Sequence, residues 1–392
     1  MNKVVIIEGR RTPFGKFGGA LREHSAVELG ALVASAVIEH AGLQPADIGE
    51  SLFGTAILAA STSVAARQIN FKAGIPATTP SLTLDRACCS SMTCVGLAAM
   101  KIRGGDAGVV LAGGIESASQ TPFLMKDVRW GRRRGDFTVE DPMQFRNPIN
   151  GLPIARVTGE AALKLDVSRE QQDEWAARSH ERYFQAYEAG FFGDEVIPVM
   201  LRGAEPFSAD ESPRRGVSLA KLASLPVVYD SPTVTPGNAP GLNDGAAATL
   251  LMSDTQASHY GLEPLAEVVS YAQACGELDS SVYMPGQAIL NALNKAGLTL
   301  ADLKRIEINE AFAAMPLAST RFMAGTDAGQ REALCAITNV NGGAVAIGHP
   351  TGASGARILM ALVRELRRAG GGYGAAAICG GYGQADAVIV RV

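Results

Sequence analysis

The chain has 392 residues, of which 47% are hydrophobic and 19% charged, and its formal net charge is −4. This length suggests two or three domains with ample core, and the composition excludes an intrinsically disordered chain. Acidic and basic residues are nearly balanced at 39 and 35, so no nucleic-acid or membrane partner is expected. Six cysteines are too few for a disulfide scaffold, and the start lacks a signal-peptide pattern, so we expect a cytoplasmic protein with free thiols.

Short apolar runs alternate with helical patterns along the chain. Five such runs predict buried strands: Val4–Ile7, Val109–Ala112, Ile306–Ile308, Ala375–Ile378 and Ala387–Val390. Apolar residues at helical spacing predict helices over Val27–Ala41 and Gly286–Ala296. This alternation predicts an α/β fold.

The two ends of the chain match weakly at an offset of 255 residues. Ala41-Gly42-Leu43 matches Ala296-Gly297-Leu298, and Ala46-Asp47-Ile48 matches Ala301-Asp302-Leu303. Each copy predicts a helix that ends at glycine, a short turn and an apolar strand. Such units also look alike in unrelated folds, but we favour two duplicated α/β halves with sites at the carboxyl ends of their strands.

The middle of the chain has a different character. Prolines recur there, basic residues cluster from Lys126 to Arg134, and Ser168 begins a capping pattern for a helix that runs to about Ala189. We therefore predict an inserted loop domain at residues 118–247. Residues 1–117 plus 248–267 would form the N-terminal half, and residues 268–392 the C-terminal half.

Three segments carry reactive side chains, and the second and third are rich in glycine. Cys88 lies at a predicted strand-to-helix turn, where backbone N–H groups and the helix dipole favour a thiolate. His349 lies among five glycines between Asn339 and Gly355, where an imidazole can act as general base toward a thiol. Cys379 ends a buried strand before Gly380-Gly381. Two thiols and a histidine suit acyl transfer combined with carbon-acid chemistry.

Other interpretations of these segments stay open. The remaining histidines are predicted at the surface: His24, His40, His180 and His259. Cys89 is a rival nucleophile, whereas Cys94 is expected in the core. Asn309 follows an apolar strand and fits either a helix N-cap or a polar site. A phosphate-binding loop is disfavoured because neither glycine-rich phosphate motif is complete.

Taken together, the motifs resemble the thiolase family over essentially the whole chain. They occur in family order: Gly9–Gly15, the Cys88 loop, Ala112–Ser117, Gly237–Ala248, Ile308–Ala313, Gly348–Pro350 and Cys379–Gly383. The resemblance implies a duplicated five-layered α/β/α/β/α fold with an inserted loop domain. It also implies a homodimer or homotetramer.

The same resemblance assigns roles to the reactive residues. Cys88 would attack an acyl-CoA thioester, His349 would take its proton, and Cys379 would move a proton at the α carbon of acetyl-CoA. The N–H groups of Cys88 and Gly381 would form one oxyanion hole, and His349 with a water held by Asn309 would form the other. No metal is expected. No cofactor is expected either, because coenzyme A is itself a substrate.

The family pattern also places the coenzyme. Arg214 corresponds to the arginine that stacks near the adenine, and Ala239, Pro240 and Gly241 are expected along the pantetheine, with Pro240 in place of a common serine. The Arg132–Arg134 run fits either a contact to the 3′-phosphate or a solvated face.

Departures from the family pattern bear on the acyl group. Pro153-Ile154 replaces the His-Met pair of short-chain members, which argues against a narrow acetoacetyl-CoA pocket. Ser91 replaces a common glycine, and Tyr382 lies within the last glycine loop. We therefore predict thiolytic cleavage of 3-ketoacyl-CoA by CoA to acyl-CoA and acetyl-CoA. The alternatives are an acetyl-CoA acetyltransferase, or a non-catalytic CoA-binding subunit of the same fold. A decarboxylating condensing enzyme is disfavoured because Cys379 stands where a second histidine is needed.

Overall fold

The computed structural model describes residues 3–61, 63–131 and 133–392, so Arg132 of the basic run lies outside the described residues. The strands are β1 (Val4–Arg11), β2 (Gly15–Lys16), β3 (Glu50–Gly54), β4 (Ser81–Leu84), β5 (Val109–Ser117), β6 (Leu124–Met125), β7 (Val139–Glu140), β8 (Asn243–Ser253), β9 (Ala266–Cys275), β10 (Leu303–Ile308), β11 (Tyr373–Cys379) and β12 (Gln384–Arg391). The helices are α1 (Ala26–His40), α2 (Leu58–Ser61), α3 (Ala65–Lys72), α4 (Ser90–Gly104), α5 (Ile154–Lys164), α6 (Arg169–Glu188), α7 (Leu219–Ala223), α8 (Asp254–Tyr260), α9 (Met284–Ala296), α10 (Ala314–Ala324), α11 (Ala328–Ile337), α12 (Ala344–Ile347) and α13 (Ser354–Arg368).

The predicted elements are present. All five predicted strands lie within β1, β5, β10, β11 and β12, and the two predicted helices correspond to α1 and α9. Helix α6 begins as its sequence indicates, because Ser168 and Gln171 form a reciprocal capping box that satisfies two backbone N–H groups.

Two similar sets of strands form the large sheet. The first runs β1-β8-β5-β3-β4 and the second runs β9-β12-β11-β10, so each half has the same connectivity up to its last strand. The halves join where β1 and β9 pair antiparallel at Val5 with Glu267 and Ile6 with Ala266. This arrangement agrees with the duplication that the 255-residue offset predicts.

The offset reappears in local geometry. Gly42 and Gly297 follow α1 and α9 with φ of 71° and 70°, the left-handed conformation that ends helices most easily at glycine. A short 3-10 turn follows in each copy, at Pro45–Asp47 and at Leu300–Asp302, and leads into β3 and β10.

The halves stack into five layers. In β1, Val5 and Ile7 pack toward α1, whereas Val4 and Ile6 pack into a shared core with α4 and α13. The second half repeats this pattern, because β11 alternates between that shared core and a third core under α9. Helices α4 and α13 thus form a central layer between the two sets of strands. Burial of each large apolar side chain there stabilises the folded state by about 1.5–3 kcal/mol. The central layer therefore fixes the N-terminal ends of α4 and α13.

The region between β5 and β8 contains β6, β7 and α5–α7, and α6 packs against α12 of the second half. Strand β8 begins at Asn243, whereas the second segment of the N-terminal half is predicted to begin at residue 248. Strand β9 spans residue 267, the predicted boundary between the two halves. The division into an inserted domain and two halves stays a prediction. Within the described residues, every helix is too short or too polar to cross a lipid bilayer.

Candidate functional site

Cys88 lies in a tight bend between β4 and α4. Ala87 has φ of 47°, a left-handed conformation that costs a residue with a Cβ about 1–2 kcal/mol. Two hydrogen bonds stabilise the bend: the Arg86 N–H donates to the Ser90 hydroxyl at 2.8 Å, and that hydroxyl donates to the Ala87 carbonyl at 2.6 Å. The bend leaves Cys88 partly exposed while its neighbour Cys89 is fully buried.

The surroundings of Cys88 favour its thiol form. Burial raises its pKa well above the ordinary value, and charge interactions with Cys379 and Glu116 act in the same direction. Its own backbone N–H lowers the pKa, but by less than burial raises it. Desolvation thus opposes the backbone N–H groups and the helix dipole, which favour a thiolate at the helix start.

Cys89 is turned away from this bend. Its thiol donates to the Ile378 carbonyl on β11 at 3.2 Å, and its side chain is fully buried in the central core with that of Cys94. These contacts favour Cys88 over Cys89 as the nucleophile.

His349 lies in the loop before α13. Gly348 has φ of 111°, and a Cβ there would collide with the Asn243 side chain, which accepts a hydrogen bond from the His349 N–H at 2.8 Å. The imidazole is 8% exposed. Burial lowers its pKa to about 3, and the nearby charge of Arg357 lowers it further. His349 is therefore neutral at physiological pH and can accept a proton.

Hydrogen bonds select the His349 tautomer. Ser354 Oγ donates to the Pro350 carbonyl at 2.8 Å, so this hydroxyl has only acceptor capacity left for His349 Nδ1 at 2.6 Å. The ring proton therefore lies on Nδ1. Nε2 keeps its lone pair and lies 3.4 Å from Asn309 Nδ2. This is the orientation that a general base requires.

Asn309 and Cys379 lie at the ends of neighbouring parallel strands. The Asn309 N–H donates to the Ala377 carbonyl at 2.9 Å, directly beyond β10 and beside β11. Helix α10 begins only at Ala314, so Asn309 is not the helix N-cap that its residue type also permitted. Its side chain faces His349 instead.

The end of β11 brings a second thiol to this place. Burial raises the pKa of Cys379 to about 11, while the N–H groups of Gly381 and Cys379 itself act to lower it. Gly381 has φ of 64° and Tyr382 has φ of 51°, an uncommon conformation for a tyrosine. The Tyr382 phenol is close enough to Cys88 for their charges to interact.

The starts of α4 and α13 meet beside these groups. The Ala356 N–H in the first turn of α13 donates to Ser91 Oγ in the first turn of α4 at 3.0 Å. Hydrogen bonding links His349 with Asn309, and charge interaction links Cys88 with Cys379. The catalytic roles of Cys88, His349, Cys379, Asn309 and Gly381 stay predictions.

A cavity of about 220 Å³ reaches this region. Its lining includes Lys16, His180, Arg214, Ala239, Gly241 and Leu242. Leu242 forms a β-bridge with His349, which connects the cavity wall to the histidine loop. Three of the four residues predicted to bind coenzyme A therefore line one cavity, while Pro240 is not among the described lining residues. Arg133 and Arg134 are exposed and also lie outside that lining.

His180 does not lie at the surface as predicted. It is 4% exposed, and Nδ1 accepts the Arg214 N–H at 3.2 Å. Burial lowers its pKa to about 4, and the Arg214 charge lowers it as well, so the ring is a neutral acceptor that orients the Arg214 backbone. The helical pattern around His180 did not reveal which face of α6 is covered.

The sequence motif Ala112–Ser117 does not indicate a role for Glu116. Its carboxylate accepts hydrogen bonds from Thr55 Oγ1 at 3.1 Å, from the Ala56 N–H at 3.0 Å, and from Thr351 and the Gly352 N–H of the histidine loop, the latter at 3.0 Å. Burial raises its pKa, whereas these donors lower it. Glu116 thus ties the end of β5 to the loop that carries His349.

Glu310 also connects another element to the chain segment around His349. It accepts from Trp175 Nε1 at 2.7 Å and Ser179 Oγ at 2.8 Å on α6, and from Asn339 Nδ2 at 2.9 Å and the Val345 N–H at 3.0 Å. Four donors on one fully buried carboxylate connect α6 with the segment that precedes His349.

The sequence does contain a signal for the residues that support the site. Glu116, Glu310 and Ser354 are polar residues within apolar or glycine-rich runs, where an unpaired polar group would be costly. Such placement indicates a partner, but it does not identify the partner without the fold.

Comparison with known proteins agrees with this geometry. The family profile "Thiolase, N-terminal domain" matches residues 4–255, and "Thiolase, C-terminal domain" matches residues 262–392. An acetyl-CoA acetyltransferase of Chromobacterium violaceum is 41% identical, and one of Syntrophomonas wolfei is 39% identical; each comparison covers 99% of both chains.

Solved structures give the same result. The Bacillus anthracis acetyl-CoA acetyltransferase superposes with a TM-score of 0.94 at 37% identity, covering 100% of this chain and 99% of that one. Human mitochondrial 3-ketoacyl-CoA thiolase in complex with CoA gives 0.93 at 36% identity, covering 100% and 98%. The chain therefore belongs to the thiolase family and is an acyltransferase.

Proposed function

We propose that this enzyme uses CoA to cleave 3-ketoacyl-CoA, producing acetyl-CoA and an acyl-CoA two carbons shorter. The observation that carries the proposal is that a histidine base and two thiols lie near the N-terminal ends of α4 and α13. A neutral imidazole presents its Nε2 lone pair, and two thiols, Cys88 and Cys379, lie close enough to interact. The cavity lined by Arg214 reaches the same loop.

The first half-reaction forms an acyl-enzyme. Cys88 gives its proton to His349 Nε2, and the sulfur attacks the 3-keto carbon. The bond between C2 and C3 then breaks, and its electron pair becomes the enolate of acetyl-CoA. Cys379 donates its thiol proton to C2, and acetyl-CoA leaves. A raised pKa suits Cys379 for this step, because it keeps the proton available.

The second half-reaction releases the shortened product. The thiol of CoA gives its proton to the Cys379 thiolate, and its sulfur attacks the acyl carbonyl on Cys88. The Cys88 thiolate leaves and regains its proton from the His349 imidazolium. Backbone donors at Cys88 and Gly381 would stabilise the oxyanion, an effect typically worth ~3–4 kcal/mol per donor.

Two observations bear on the length of the acyl group, and they oppose each other. Ile154 and Val157 at the start of α5 line a small cleft together with Val282 and Tyr382. The apolar α5 residues favour a longer acyl chain. The Tyr382 ring narrows the same cleft and favours the alternative, an acetyl-CoA acetyltransferase that forms acetoacetyl-CoA.

A chain-length series separates these functions. Steady-state kcat/KM is measured with CoA and 3-ketoacyl-CoA substrates of increasing length. We expect longer chains to be cleaved at least as efficiently as acetoacetyl-CoA. A sharp four-carbon preference would identify the acetyltransferase instead. Coenzyme binding without turnover and without an acyl adduct on Cys88, read by mass spectrometry, would identify a non-catalytic subunit.

Cys379 has its own test. The Cys379→Ala variant should still form the Cys88 adduct from acetyl-CoA but fail to exchange the acetyl α-protons with deuterated solvent, followed by NMR. The expected loss of exchange is about 10²–10⁴-fold. Exchange at the wild-type rate would remove Cys379 from the proton-transfer role.

We also propose a homo-oligomer, a dimer or a tetramer. Strand β4 is an edge of the large sheet, and Leu82 on it is 41% exposed. An exposed edge strand offers unpaired backbone groups to a second copy. Light scattering coupled to size exclusion gives the mass, and a monomer at micromolar concentration would reject this proposal.

A cytoplasmic location and a role in fatty-acid breakdown complete the proposal. The mechanism needs Cys88 and Cys379 as free thiols, which a reducing compartment maintains. A 3-ketoacyl thioester is the oxidised intermediate that forms when a fatty-acid chain is shortened two carbons at a time. Fractionation of cells that express the natural protein tests the location.

A further inference from the structure

Arg357 is a buried cation that the proposed mechanism does not use. It lies on α13, two residues beyond Gly355, and is 2% exposed. Its Nη2 lies 3.4 Å from Asn309 Oδ1, while Asn309 Nδ2 lies 3.4 Å from His349 Nε2. The amide of Asn309 therefore stands between a guanidinium and the predicted catalytic base.

A guanidinium constrains the orientation of that amide. Arginine has five N–H donors and no acceptor, so the Asn309 atom that faces Arg357 must be the carbonyl oxygen. The NH2 group must then face His349 and the reaction site. If the amide rotated by half a turn, an acceptor would face the site, and two donors would oppose each other in the protein interior.

The donors run in one direction through the whole chain of contacts. Arg357 donates to Asn309, Asn309 donates to His349 Nε2, and His349 Nδ1 donates to Ser354. Ser354 donates in turn to the Pro350 carbonyl, which has no proton to give. A fixed donor at one end and a fixed acceptor at the other leave one consistent arrangement for every group between them.

Glu307 holds the far side of Arg357. Its Oε2 lies 3.8 Å from Arg357 Nη1, and both residues are buried. Arg357 Nε, Arg357 Nη1 and Glu307 Oε2 have no hydrogen-bond partner among the described residues. Within the described part of the chain, only Nη2 of the guanidinium is engaged by a hydrogen bond, and it is the nitrogen that faces Asn309. Burial raises the pKa of Glu307 to about 8.

We propose that Arg357, held by Glu307, is a positioning residue that fixes the Asn309 amide with its donor toward the enolate oxygen of the bound thioester. The inference rests on the proposed function and on the role that the family resemblance gives Asn309, which would hold a water in the oxyanion hole for the enolate. Arg357 acts only through Asn309, so its loss should impair enolate formation while leaving acylation of Cys88 in place.

The test compares two half-reactions in the full-length enzyme. Acylation is followed by intact mass after mixing with acetyl-CoA, and enolate formation by exchange of acetyl-CoA α-protons in deuterated water. The variants are Arg357→Lys, which keeps a donor-only side chain, and Arg357→Met combined with Glu307→Gln, which removes the donor without leaving a buried carboxyl group unpaired. Arg364→Met is the matched control, because Arg364 lies on the same helix but contacts Glu8 and the Gly9 carbonyl.

We expect the double variant to lose α-proton exchange about 10²–10³-fold, the effect of removing one oxyanion donor, and to retain acylation within about threefold. Arg357→Lys should recover at least a tenfold part of the lost exchange, and Arg364→Met should exchange like the wild type. Exchange at the wild-type rate in the double variant would overturn the proposal. So would an equal loss of both half-reactions with no recovery in Arg357→Lys, which is the pattern of a purely structural residue.

A folding defect does not remove the test. If the double variant does not fold, Arg357→Gln replaces it, because a glutamine amide can present its own carbonyl and allow Asn309 to rotate. A loss of exchange of at least tenfold supports the proposal, and unchanged exchange rejects it. Wild-type enzyme that shows neither adduct nor exchange would instead reject the proposed function, so the two failures are distinct.

Discussion

The segments that precede α4 and α13 occupy similar places in the central layer but contain opposite chemistry. Before α4 stands Cys88, whose pKa burial raises; before α13 stands His349, whose pKa burial lowers to about 3. The cause is the same in both cases, because an apolar surrounding disfavours whichever form is charged. The result is a neutral acid beside a neutral base.

Burial therefore leaves the reacting pair, Cys88 and His349, uncharged before the proton moves. A permanent thiolate–imidazolium pair would lose much solvation in the core, whereas a thiol and an imidazole lose little. Charge appears only when the proton moves, and by then the substrate is bound. The predictions below test each side of the pair, beginning with the largest expected effect.

The acid side is tested by removing its sulfur. Cys88→Ala should lower kcat about 10⁴-fold or more, because no covalent intermediate can form, while the Kd for CoA measured by calorimetry stays within about twofold. Cys94→Ala, a core cysteine on the same helix, is the control and should remain active. Retained turnover in Cys88→Ala would exclude this thiol as the nucleophile.

The base side is tested by substitution and by pH. His349→Gln should slow Cys88 acylation about 10²–10⁴-fold. Because the pKa of His349 is lowered to about 3, its neutral form predominates at every higher pH, and because that of Cys88 is raised, its proton stays in place through neutrality. The wild-type acylation rate should therefore be flat between about pH 5 and pH 8. An acid limb with a midpoint near 6.5 would contradict a buried neutral base.

Ser354 provides a further test of the base, because His349 must hold one of its two neutral tautomers and Cys88 has none. Ser354→Ala removes the acceptor for Nδ1–H and should slow acylation about 10–100-fold, as losses of such orienting partners do. Ser319→Ala is the control, since this buried hydroxyl has no hydrogen-bond partner among the described residues. Equal rates in both variants would show that the tautomer is fixed in another way.

The smallest effect is expected where the two helices touch. Ser91→Ala removes the acceptor for the Ala356 N–H and should lower the free energy of unfolding by about 1 kcal/mol, measured in urea, with activity within about threefold. Unchanged stability would mean that water satisfies this N–H equally well. A large loss of activity would mean that Ser91 contacts the substrate.

The fold was largely predictable, because it depends on local patterns. The strand and helix periodicities, the glycine after α1 and its counterpart after α9, and the capping box at Ser168 are each contained in a few consecutive residues. The resemblance to the thiolase family supplied the order of the layers and the candidate residues, which periodicity alone does not give.

The electrostatics were not predictable in the same way. The pKa of Cys88 depends on burial and on Cys379 and Glu116, which are distant in sequence, so the helix start alone does not determine it. The tautomer of His349 depends on Ser354, and the burial of His180 depends on the segment that carries Arg214. Each of these properties is a sum over neighbours that only the folded chain brings together.

Glu310 limits how this architecture can diversify. One carboxylate braces both α6, through Trp175 and Ser179, and the segment ahead of His349, through Asn339 and Val345. A graft that replaced α6 with its counterpart from a relative would have to supply the same two donors, or the base would lose its support. Engineering for new acyl groups is therefore safer at the start of α5, where the cleft can be reshaped without touching that brace.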